Sequence, residues 1–150
     1  MNRISKFAAA LALGAFIAVP GAYAQKDDKK KAEAAKPVKR NFSKEFQKAY
    51  APAVDALAKK KDLVAAQAAF PAVEAAIMTP DDRYEAGIFA LNLGGQLKDQ
   101  TLQRKGVNLI VDSNAAPAEL KPAYVFQQGV FAYGDKDYPG AEKKMLEAYN

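Results

Sequence analysis

The sequence predicts an all-α protein, an α-solenoid of about three antiparallel helical hairpins. Three observations predict it. From Phe42 onward, apolar residues recur at steps of three and four, the spacing of one helix face. Val54, Leu57, Leu63, Ala66, Phe70 and Val73 are echoed 40 residues on by Gly94, Leu97, Gln103, Gly106, Ile110 and Ser113. Another 35 residues on stand Gly129, Ala132, Tyr138, Ala141, Met145 and Ala148. No segment keeps the period-two alternation of a strand beyond a few residues. A period of this length means stacked helical hairpins, and such stacks usually bind rather than catalyse.

Residues 1–24 have the three parts of a secretory signal peptide. Arg3 and Lys6 precede an uncharged run from Phe7 to Val19, and Pro20, Gly21 and the small-residue site Ala22-Tyr23-Ala24 follow. The run of 13 residues is short of the roughly 20 needed to span a bilayer. Cleavage is expected after Ala24, which leaves no transmembrane segment and a periplasmic or secreted product. The chain has no cysteine, so neither a lipid anchor on the exported end nor a disulfide framework is available.

Residues 25–41 read as a disordered Lys/Ala-rich linker, because Val38 is the one sizeable apolar side chain there and cannot offset the cost of chain ordering. Residues 26 to 40 carry seven Lys/Arg against three Asp/Glu, whereas residues 41 to 150 carry 13 against 14. The basic isoelectric point of 9.3 is therefore a property of the tail, and a nucleic-acid partner is not expected of the near-neutral folded part.

The repeat domain is expected over 42–150. Phe42, Phe46, Tyr50, Val54 and Leu57 make one face of a first helix, with Ser43 as N-cap and Lys59-Lys60-Lys61 at its C-terminal end. Pro52 falls inside it, so this helix either kinks near Tyr50 or starts late. A second helix is expected from Asp62 to about Met78, with Pro71 again mid-pattern. The third has the clearest start, Thr79 as N-cap with Pro80 at the first helical position, and runs to about Leu97. Asp99 caps a fourth helix that frays at Ser113-Asn114. Pro117 or Pro122 opens a fifth through Tyr133, and Tyr138-Pro139 starts a sixth that reaches Asn150.

Helices of a hairpin approach closely only where residues are small, and glycine inside a helix costs about 1 kcal/mol relative to alanine. The expected close pairs are Gly94 with Gly106 and Gly129 with Ala141. In this placement of small residues, and in Tyr138, Met145 and Ala148 of the last unit, the chain resembles the tetratricopeptide-repeat family. The units are about 47–80, 87–117 and 122–150. Val54 and Val73 are larger than that family's small residues, and Gln103 replaces an aromatic.

The resemblance implies a protein or peptide partner in the cell envelope. It implies a groove lined by the outward positions of each first helix: Lys48, Asp55, Asn92, Lys98, Phe126, Val130 and Tyr133. No catalytic, cofactor or metal site is expected, since histidine and cysteine are both absent. The acidic groups Asp81-Asp82-Glu85 and Asp135-Asp137 are explained by a helix N-terminus and a polar turn. Of the aromatic group Tyr124, Phe126, Phe131, Tyr133 and Tyr138, most are expected in the core. The alternative is a structural, self-assembling envelope protein, or the front of a longer array, because the sixth helix carries Met145 and Leu146 with no polar cap beyond.

Overall fold

A computed structural model describes residues 40–150; the expected signal peptide and residues 25–39 of the expected linker lie outside the described residues. The described residues form six α-helices and no strand. They are α1 (Lys44–Val54), α2 (Leu63–Ala75), α3 (Pro80–Leu97), α4 (Gln100–Ser113), α5 (Lys121–Gly134) and α6 (Tyr138–Tyr149), with a π-helical turn, Asp55–Lys60, continuing α1. Each helix packs on its chain neighbours, most closely α3 on α4 and α5 on α6.

Local chemistry sets the helix starts. The Ser43 hydroxyl accepts the Phe46 amide, and Thr79 and Asp82 form a reciprocal capping box with Pro80 in the first turn. Neither proline ends its helix. Pro52 lies within α1 and Pro71 within α2. Proline deletes one amide and crowds the carbonyl four residues back. In α1 the chain runs through this defect and then widens into the π-helical turn, where the Lys61 amide donates to the Ala56 carbonyl five residues back. Of the two expected openings for α5, Pro122 stands in its first turn, while the Pro117 carbonyl accepts the Leu120 and Lys121 amides in the preceding turn.

The three hairpins share one turn. Lys61, Lys98 and Lys136 all adopt left-handed backbone, with φ of 53°, 57° and 64°. Each is followed by an aspartate that caps the next helix, Asp62 accepting from Ala65, Asp99 from Leu102 and Asp137 from Gly140. A left-handed residue lets the chain leave one helix, and the short carboxylate satisfies an orphan amide of the next. These turns recur at 37 and 38 residues, which corrects the 40 and 35 of the apolar echo. Alanine-rich helices match themselves at several offsets, whereas turn backbone fixes the register. At 37 residues, buried Ala53, Ala56, Phe70 and Val73 correspond to buried Ala90, Leu93, Val107 and Ile110.

The core lies where α1 and α2 meet α3. Phe46, Ala53, Ala66, Phe70, Val73, Phe89 and Leu93 are buried there. Phe46 stacks on Tyr50 at 4.9 Å, and Phe89 lies 5.9 Å from both Tyr50 and Phe70. Each such ring contributes about 1.5–3 kcal/mol on burial. The expected Gly94–Gly106 crossing is not the one formed. In an antiparallel hairpin, residues equidistant from the turn face each other, so Gly106 meets the backbone of Leu91 and Gly87, while Gly94 meets Gln103. Gly129 does lie against Ala141, and against Met145.

Candidate functional site

Of the two acidic groups that stand out in the sequence, Asp81, Asp82 and Glu85 pack the N-terminal entry and α1 onto α3. Asp82 is fully buried. Its carboxylate accepts from the Ser43 amide and hydroxyl and from the Met78 and Thr79 amides at 2.8–3.1 Å. Burial opposes its charge, but these donors from Ser43, Met78 and Thr79 outweigh it and hold the carboxyl below the usual aspartate range. Asp81 accepts from Arg40 at 3.1 Å, and Glu85 accepts from the Tyr50 hydroxyl at 2.9 Å. Burial and the Glu85 charge together push the Tyr50 phenol well above its ordinary range.

Arg40 is placed by α3, which carries Asp81 and Tyr84, and by the α4–α5 connection, which carries Ala115. Its guanidinium lies 3.7 Å from the Tyr84 ring centre and donates to the Ala115 carbonyl at 3.3 Å. That carbonyl is presented because α4 ends in left-handed Asn114 and the Ser113 hydroxyl holds the Ala115 amide. Composition averaged over the Lys/Ala-rich stretch hides this contact. The available signal is that Arg40 is the one arginine among six lysines there, the cation whose planar head both stacks and bonds. Arg40→Ala is expected to cost about 1–2 kcal/mol, seen as a lower urea midpoint with unchanged slope.

The residues expected to line a groove fall into separate groups. Asp55, Asn92 and Val130 share one register of the three hairpins, at the 37- and 38-residue spacing of the turns. Lys48 is exposed on α1, and Asp55 pairs with Lys59 and Lys60 of its own turn at 2.8 and 3.4 Å. The Lys59 ammonium chiefly holds the Asp55 carboxyl below its usual range. Asn92 is half-buried on α3, and Lys98 is the exposed left-handed residue that ends it. Among the described residues no hydrogen bond or ion pair joins Lys48, Asp55, Asn92 or Lys98 to α5.

Phe126, Val130 and Tyr133 do come together, on one face of α5. The opposite face meets α4, where Arg104 pairs with Asp135 and donates to the Phe131 carbonyl, and Gln128 bonds Asn108. Their face is continuous with Tyr138, Leu146 and Tyr149 of α6 through the Tyr133–Tyr138 edge contact, centroids 5.5 Å apart. An open groove of about 600 Å³ lies at the α6 end of this face, lined by Tyr133 of α5 and by Tyr138, Met145, Leu146 and Tyr149 of α6. The expectation that most of the aromatic group is core is corrected: Phe126, Tyr133 and Tyr138 are exposed, and Tyr124 and Phe131 are half-buried. Helical spacing alone does not distinguish a face packed on a neighbour from one left uncovered.

Among the described residues, no cluster of three or more acidic side chains is placed to hold a metal, and no helix is long and apolar enough to cross a membrane. No known protein family, curated protein or solved structure matches this chain.

Proposed function

We propose that this protein is an exported, non-catalytic α-solenoid of tetratricopeptide-like hairpins that binds a protein or peptide partner in the cell envelope. One observation carries the reading. From Pro122 to Gly134, α5 contains no charged residue, yet Phe126, Val130 and Tyr133 remain exposed on it. The polar Gln127 and Gln128 lie on other sides of the helix, and a large uncovered apolar face marks an interaction site. The repeated Lys-Asp turn supports the solenoid, and the charge and apolar pattern of residues 1–24 supports export.

The test is capture from an envelope extract with wild-type, Tyr133→Ala and Lys98→Glu baits of equal helicity. Tyr133→Ala is expected to lose about tenfold or more of the partner, the effect of an aromatic anchor worth roughly 2 kcal/mol. A smaller loss from Lys98→Glu would place that exposed cation at the rim. Equal recovery by all three baits would remove these residues from the site.

A further inference from the structure

The face on α5 and α6 is as large as the largest apolar patches on ordinary monomers, and its extent indicates what covers it. We infer that it is the twofold interface of a homodimer, in which a second copy of this chain packs the same face against it. This inference rests on the binding reading above and names the partner of that site.

The exposed fractions rise from 40% at Val130 through 49% at Phe126 and 62% at Tyr133 to 90% at Tyr149. With an aromatic residue presenting roughly 200 Å² when fully exposed, the six side chains together expose on the order of 600 Å². That reaches the upper end of the largest patch on ordinary monomers, about 300–600 Å². Two such faces would bury roughly 1,200 Å², where stable protein interfaces begin.

The repeat supplies a second observation. At the 38-residue offset of the turns, Met145 and Ala148 of α6 correspond to Val107 and Ile110 of α4. Val107 and Ile110 are fully buried, whereas Met145 and Ala148 are only half-buried. The α5–α6 hairpin thus carries core positions that are incompletely covered among the described residues.

The symmetry follows from what the rest of the surface offers. The other large exposed apolar side chains among the described residues are Val64, Met78 and Leu120. They lie apart, on α2, in the α2–α3 turn and in the α4–α5 connection. No second face of comparable size and chemistry is present in that set, so the face is best matched by its own copy, and a self-complementary patch closes as a dimer. Glu142 is the charged residue lining the groove. Tyr133, Tyr138 and Tyr149 line the same groove and carry hydroxyl donors, so covering the face need not strand the carboxylate.

The experiment is mass by sedimentation equilibrium on the purified protein, from low to high micromolar concentration. Wild type is expected to move from one chain to two, and no further. Tyr133→Lys/Tyr149→Lys, at two exposed positions, is expected to stay at one chain while its circular dichroism remains that of wild type. Val64→Lys, on α2, is expected to dimerise like wild type. A wild-type mass of one chain throughout would overturn the homodimer. The binding reading would then still stand if Tyr133→Ala loses its partner in the capture experiment, and fall if it does not. Growth beyond two chains, or loss of association in Val64→Lys, would overturn the twofold pairing.

Discussion

Replacing Asp82 with alanine is expected to lower the unfolding free energy by about 3–4 kcal/mol, a large share of the roughly 5–15 kcal/mol that holds a domain together. The loss has two parts. The capping box of α3 disappears, at about 1 kcal/mol. The Ser43 amide and hydroxyl and the Met78 amide, outside that box, then lose their acceptor at a site with no solvent exposure, and a buried unpaired donor costs about 1–3 kcal/mol. Asp82→Asn keeps one acceptor oxygen and should cost about half as much. Denaturant unfolding at neutral pH measures both.

The acid limb provides an independent check. The Asp82 carboxyl is held below its ordinary value in the folded chain, while in the unfolded chain it titrates near pH ~3.9. The folded state therefore gains from Asp82 fully above that pH and loses the gain as pH falls through the lower, folded value. The difference in stability between wild type and Asp82→Asn should be constant near neutrality and shrink below about pH 4. A difference that stayed constant into strong acid would mean that the carboxylate charge does not carry the effect.

The helices were legible in the sequence where one residue does one local job. Ser43, Asp62, Thr79, Asp99 and the turn before Tyr138 mark starts that the structure places at the same residues. A capping side chain acts within three residues, so its chemistry is written nearby. The tertiary use of Asp82 was not legible, because its carboxylate serves α3 and also reaches Ser43, 39 residues away. Arg40 was hidden for the same reason, with partners 41 and 75 residues distant. The succession of paired helices was legible, but the register between the pairs was not. Small apolar residues tolerate sliding, and only the Lys-Asp turns, whose lysines take left-handed backbone, fix the offset. The exposed face lay in plain sight as an uncharged stretch from Pro122 to Gly134, and composition alone does not say which of its sides a neighbour covers.

Gly106→Val is expected to destabilise the fold by about 3 kcal/mol, whereas Gly95→Ala in the facing helix is expected to stabilise it by about 0.5–1 kcal/mol. The two glycines differ in what a side chain would meet. A Cβ on Gly106 would lie 2.5 Å from the Leu91 amide nitrogen and 2.7 Å from the Gly87 carbonyl oxygen. Both are backbone atoms of α3, which no rotamer change can move aside, so α3 and α4 must separate along their closest contact. That separation would also loosen Ile110, packed beside Gly87 at the same crossing. Alanine at Gly106 should cost less, about 1–2 kcal/mol, because its higher helix propensity offsets part of the overpacking. At Gly95 nothing lies within 4 Å of the added carbon, and the residue is exposed inside α3. There the propensity gain stands alone. Thermal unfolding of the three variants should rank Gly95→Ala above wild type, Gly106→Ala below it, and Gly106→Val lowest. A stabilised Gly106→Ala would show that the α3–α4 approach yields without cost, and that glycine is not required at the tightest crossing of the fold.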